Sequence, residues 1–153
     1  MREEGEVTRA LAVLFAAIAG VLVGMQAPVN SRLGRELGSV QAATFSFMVG
    51  TVALVLVALL FYGGLGSFGN VGKAPTWALV GGLLGAVYVT VAILTVRTLG
   101  VSGLTAIVIS GQLAAAVVID RFGLLGIAKQ PIPPMRIVGL ALLVVGALLV
   151  VRR

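Results

Sequence analysis

Two amides flanking a proline, in a stretch without charge, are the residues whose chemistry most needs explaining. Gln26 and Asn30 stand four residues apart, so on a helix they share one face, a turn apart. Pro28 lies between them. It has no N–H, so the Gly24 carbonyl loses the hydrogen bond it would otherwise receive. Two amides beside a freed carbonyl make a broken helix, a type of site that coordinates solutes in membrane transporters. The same residues would also suit a helix terminus satisfied by headgroups and water.

A third amide, Gln112, falls near the middle of another apolar stretch. Ser102, Thr105 and Ile109 precede it at helical spacing, and Ser110 lies beside that stripe. An amide at mid-span must face a neighbouring helix or a cavity, because hydrocarbon offers it no partner. Interhelical hydrogen bonding is the simpler use and cavity lining the more functional one. Tyr88 falls well inside its stretch and is read as a cavity residue. Tyr62 and Trp77 fall at stretch ends, where an aromatic belt would anchor the protein at the interface. Gln26, Asn30, Tyr88, Ser110 and Gln112 are thus the expected substrate-binding set. Asp120 stands beside Arg121 at the end of a stretch. It is either half of a local ion pair or a proton-coupling acid.

Other chemistry finds little support. The chain contains no His and no Cys, which removes the commonest general base, the commonest metal ligands and any disulfide. An intramembrane aspartyl site needs two acids, and Asp120 is the only Asp. No enzyme activity, cofactor or metal site is expected. The net charge of +6 is spread thinly over separate segments, so the basic residues are read as headgroup anchors and not as a nucleic-acid surface. Gly64-Leu65-Gly66-Ser67-Phe68-Gly69 fits the G-x-G-x-x-G pattern, but it follows an apolar stretch and has no acid about twenty residues on. It is expected to be a flexible loop.

The elements that must position these residues follow from composition. Of 153 residues, 59% are hydrophobic and 10% charged, whereas soluble domains carry about 25% charge. Such a surface would aggregate in water and must be solvated by lipid. The charges fall in clusters separated by five charge-free stretches. A bilayer core of about 30 Å takes roughly 20 helical residues, which predicts helices over 10–31, 40–62, 75–96, 101–119 and 135–151. The last is the shortest. Unbroken apolar runs favour helices over the alternating strands of a barrel, and the acidic start of the chain argues against a cleaved signal peptide. The expectation is one all-α transmembrane domain over 1–153, a bundle of five helices.

The basic residues barely favour either orientation. One face receives Arg2, Arg9, Lys73, Arg121, Lys129 and Arg136. The other receives Arg32, Arg35, Arg97, Arg152 and Arg153. Either one dominant loop fixes the orientation, or the chain inserts both ways and pairs with an inverted copy. An odd number of spans suits the second, since an inverted copy supplies the other half of a ten-helix, inverted-repeat transporter. Gly20/Gly24 and Gly81/Gly85 form G-x-x-x-G faces that serve packing either within one chain or between copies.

The run Gly24-Met25-Gln26-Ala27-Pro28-Val29-Asn30-Ser31-Arg32-Leu33, followed by Ser46-Phe47-Met48-Val49-Gly50, resembles the YdcZ-like family, the five-helix branch of the drug/metabolite transporter superfamily. The resemblance continues through Pro75-Thr76-Trp77, Gly81-Gly82-Leu83-Leu84-Gly85-Ala86-Val87-Tyr88-Val89, Leu99-Gly100, Gly111-Gln112-Leu113, Ile119-Asp120-Arg121-Phe122-Gly123 and Arg136-Ile137-Val138-Gly139. Ala116 departs from the pattern, where Ser is expected. The resemblance implies a transporter of the bacterial or archaeal inner membrane. The superfamily also includes four-helix antiparallel multidrug exporters that use a Glu in the middle of their first helix. The first stretch here has none, so a small polar or neutral solute held by amides fits better than a cation. The expected function is transport of such a solute by alternating access as an antiparallel homodimer in the bilayer. A dual-topology channel and a non-transporting scaffold or accessory subunit are the alternatives.

Overall fold

The computed structural model describes residues 8–152, and the regular elements among them are all helical. The basic ends Arg2 and Arg153 lie outside the described residues. The chain divides into two compact units, Met1–Leu94 and Thr95–Arg153.

In the first unit, α1 (Arg9–Leu37) starts at Thr8, whose hydroxyl accepts from the Leu11 N–H at 3.4 Å, satisfying one of the unpaired donors of the first turn. The break expected at Pro28 does not occur. The helix continues through it for 29 residues, because one missing hydrogen bond is tolerable in a membrane helix whose other backbone groups remain paired. Nor does α1 stop at residue 31. Arg32 and Glu36, expected in a loop, form an i,i+4 ion pair at 2.7 Å on its last turns, and Arg35 suits the negative end of the helix dipole.

The loop shrinks to one residue, Gly38. Its φ of 89° and ψ of 157° fall in a region open essentially only to glycine. Its N–H donates to the Gly34 carbonyl at 3.1 Å, and its carbonyl accepts from the Ala42 N–H at 3.0 Å. One residue therefore closes α1 and opens α2 (Ser39–Phe61). The glycine-rich segment expected to be a flexible loop is instead wound as a 3-10 helix over Gly66–Lys73. Lys73 Nζ donates to Asn70 Oδ1 there at 2.8 Å. A second short 3-10 turn, Thr76–Val80, leads into the next long helix.

That helical stretch, Gly81–Phe122, has 42 residues. Unbroken it would be about 63 Å long, twice the hydrocarbon thickness. It is broken at Gly100, with φ 71° and ψ 169°, which gives α3 over 81–99 and α4 over 101–122. Gly100 nearly repeats the backbone conformation of Gly38, and each follows an Arg-x-Leu: Arg35-Glu36-Leu37 and Arg97-Thr98-Leu99. With α5 (Pro134–Val151), the described residues form an all-α membrane protein: four helical stretches are long and apolar enough to cross a bilayer, and the break at Gly100 divides the third, giving five helices.

The core of the first unit is made of small and branched residues. Ala42 and Ala43 of α2 meet Val89 and Ile93 of α3, with Leu33 and Tyr88 packed against them. From α1 come Ala27, Asn30, Ser31 and Gly34, whose small size permits close approach. A Cβ on Gly85 would lie 3.2 Å from Phe47 Cζ, whereas Gly20, Gly24 and Gly81 have open space around them. Gly85 is therefore used inside the unit. Much of the remaining apolar surface is exposed, including Leu60 and Phe61, as lipid solvation allows.

In the second unit α4 and α5 run antiparallel. A Cβ on Gly103, early in α4, would meet Val151 at the end of α5. Asp120, late in α4, contacts Arg136 at the start of α5. Leu104 and Ala147 are buried.

Candidate solute-binding site

On α1 the buried residues Ala27, Asn30, Ser31 and Gly34 recur at helical spacing, which marks the face turned into the first unit. Asn30 is 5% exposed, and its Nδ2 has no hydrogen-bond partner among the described residues. Leaving a buried donor unpaired costs about 1–3 kcal/mol. Gln26, one turn earlier, is exposed, so the two amides line one edge of the helix from surface to interior. Tyr88 is half-buried against the Ala42, Ala43, Val89 and Ile93 cluster.

An apolar cavity of about 550 Å³ lies between α2 and α3, lined by Val40, Ala43, Thr44, Phe47, Met48, Thr51, Val52, Ala86 and Thr90. Two of its hydroxyls are spent on their own helices. Thr44 donates to the Val40 carbonyl at 2.9 Å and Thr90 to the Ala86 carbonyl at 2.8 Å. None of the five expected substrate-binding residues lines it. Sequence reasoning passed over this cavity because its residues are ordinary membrane-helix residues with no amide or charge among them.

In the second unit, Ser102, Thr105 and Ile109 line a cavity of about 870 Å³ against Leu142, Leu143, Gly146, Ala147 and Val150 of α5. The stripe read from the sequence therefore faces α5. Gln112, its next member, is not among the lining residues and is exposed. Ser110 donates to the Ala106 carbonyl at 2.8 Å, the usual use of a helical hydroxyl. Gln26, Asn30 and Tyr88 thus belong to the first unit, and Ser110, Gln112 and Asp120 to the second.

Asp120 does not pair with Arg121. Adjacent side chains diverge around a helix, and Arg136 of α5 takes the place instead, with Nη2 at 2.6 Å from Asp120 Oδ2. The Asp120 backbone carbonyl accepts from the Gln130 N–H at 2.8 Å, so the returning chain is fastened to the end of α4 twice. Gly123 makes the turn in the left-handed region, φ 66°. A signal was available in the sequence: an acid closing one span and a base opening the next are opposite charges at neighbouring helix ends.

These are amide-bearing membrane helices of a consistent kind, and a family model described as "Putative inner membrane exporter, YdcZ" matches residues 11–149. The chain belongs to the YdcZ family. Membership makes it a multi-pass membrane transporter and places the match across all five helices, from the first turn of α1 to the last turn of α5. No curated protein and no solved structure matches the chain. The Gln26–Asn30 run, the Tyr88 run, Gln112 and Asp120 of this YdcZ-family chain all fall inside the matched residues.

Proposed function

We propose that this YdcZ-family protein exports a small neutral or polar solute across the inner membrane by alternating access, as an antiparallel homodimer. Gln26, Asn30, Tyr88, Gln112 and Ser110 face the solute, Ser110 as an acceptor, and Asp120 is the candidate coupling acid. The observation that carries this reading is the exposure of two amides, Gln26 and Gln112, on helices otherwise sheathed in apolar side chains. Hydrocarbon leaves an amide unpaired at a cost of several kcal/mol in the limit of no compensation. Both amides therefore border a hydrated path or a second subunit. Two inverted copies around a midplane site supply both.

The test is counterflow in proteoliposomes, using a panel of radiolabelled neutral solutes with the unlabelled solute preloaded. Transient uphill accumulation that saturates with solute, and that weakens in Gln26→Leu and Gln112→Leu, supports the carrier. Rapid flux that never saturates makes the protein a channel. No flux above empty liposomes across the panel leaves a scaffold.

A further inference from the structure

Among the described residues of the first unit, Asn30 is the buried polar group whose donor is left over. Its Nδ2 is enclosed and has no acceptor among the described residues. Of the residues that share its buried face, Ala27 and Gly34 bring no side-chain acceptor and the Ser31 hydroxyl does not accept from Nδ2; Ala42 and Ala43 of α2 bring none either. Their carbonyls lie within helices, where backbone acceptors are already engaged. An amide nitrogen donates and does not accept. What completes this site must therefore bring an acceptor atom with it.

The surroundings restrict the rest of the molecule. No ionisable residue other than tyrosine occurs between Arg9 and Arg32 on α1, along α2, or between Gly81 and Val96 on α3. An ion entering here would find no counter-charge, so the occupant is neutral. Tyr88, half-buried against the core cluster of the same unit, offers a ring face for an apolar body. Gln26, exposed one turn from Asn30, offers a first polar contact on the way in.

We infer that Asn30 selects the solute by donating its Nδ2–H to an acceptor oxygen, so that the site takes neutral ketones, esters or amides with a compact apolar body. This rests on the transporter reading above and names the chemistry of its substrate.

The chain contains two asparagines, Asn30 and Asn70, which makes a direct test available. Full-length protein labelled with 15N-asparagine in lipid nanodiscs gives two side-chain amide signals. Asn70, whose carbonyl oxygen is held by Lys73, is the internal reference. The probes are three molecules of similar size: cyclohexanone, methylcyclohexane and the cyclohexylammonium ion. The expected result is a saturable downfield shift of the Asn30 amide protons with cyclohexanone alone, while Asn70 stays still. Asn30→Leu, which keeps roughly the size and loses the donor, should weaken cyclohexanone binding roughly tenfold, read by thermal shift. An unmoved Asn30 signal, an equal shift with all three probes, or an Asn30 amide already exchanging with water and indifferent to the ketone overturns the assignment. Failure here is separable from failure of the transport reading. Counterflow with no Asn30 shift removes the donor role and leaves the carrier, whereas an Asn30 shift without counterflow removes the carrier and leaves the site.

Discussion

Arg136, two residues into α5, reaches back across the connecting turn to Asp120 near the end of α4, with 2.6 Å between Nη2 and Oδ2. Both side chains are largely buried, at 33% and 20% exposure. The pair lies between the exposed ion pairs that contribute about 0–1 kcal/mol and the fully buried ones whose rupture costs about 3–5 kcal/mol. We expect Asp120→Asn and Arg136→Gln each to destabilise the protein by about 1–2 kcal/mol. A double-mutant cycle, read by thermal unfolding in detergent, should return a coupling energy near 1 kcal/mol. Arg121→Gln should show almost none with Asp120→Asn. Coupling to Arg121 in place of Arg136 would show that the local pair is the real one.

The two glycine corners make a second prediction. Gly38 and Gly100 both hold positive φ with extended ψ, a region where side-chain-bearing residues cost about 1–3 kcal/mol. Gly38→Ala and Gly100→Ala should therefore each lower stability by that order, whatever room surrounds them. Gly20→Ala, in helical backbone with open space around it, should be neutral to the fold of a single chain. A loss at Gly20 as large as at Gly38 would mean that packing, not backbone conformation, sets these effects.

Those corners also show where sequence reasoning reached and where it stopped. Five spans were legible because a charge in hydrocarbon is costly, so charge clusters mark the span ends. The length of each connection was not, because charge says nothing about backbone. Arg32 and Glu36 looked like loop residues and are the last turns of a helix that ends in a single glycine. The repeated Arg-x-Leu-Gly was visible in the sequence, but its meaning depends on a φ near +80° that only coordinates reveal. Pro28 was read as a break because it lacks a donor, yet one missing bond did not outweigh the continuous pairing on either side of it. At the site, Asn30 and Tyr88 were picked out by residue type. That Asn30 is buried while Gln26 is exposed depends on the direction of the packed face. A four-residue spacing places the two together and cannot orient them.

A third expectation concerns Phe47 and Gly85. A Cβ at Gly85 would sit 3.2 Å from Phe47 Cζ, tighter than ordinary van der Waals contact. Gly85→Val pushes further into that ring and should cost about 1–3 kcal/mol as an overpacked contact. Phe47→Ala alone should also destabilise, through lost apolar burial and the space left behind. Combined, the two should cost less than the sum of the singles, because each relieves the other. Strict additivity in detergent unfolding would mean that Gly85 meets something other than Phe47, such as a second copy.

The last prediction concerns orientation, and it follows from the balance of basic residues with five spans. Arg2, Arg9, Lys73, Arg121, Lys129 and Arg136 belong to one face, against Arg32, Arg35, Arg97, Arg152 and Arg153 on the other. Arg32 and Arg35 lie on α1 and not in a loop, at the end of that helix opposite Arg9. Six against five gives the insertion machinery little to act on, since orientation follows the Lys and Arg excess near span ends. Inverting one subunit gives both faces of a dimer the same basic content, so a mixed population carries no penalty. The open face at Gly20 and Gly24 is free to take the partner. The chain lacks cysteine, so a single cysteine added at either terminus is the only one a maleimide can find. We expect each terminal cysteine to react from outside intact cells in a substantial fraction of molecules, and the remainder only after the membrane is opened. Three added lysines at one terminus should drive that terminus inward and abolish counterflow in the variant expressed alone. Co-expression with a variant locked the other way should restore it. Labelling of each terminus from one side only would fix a single orientation, and full activity of one locked variant by itself would rule out the inverted pair.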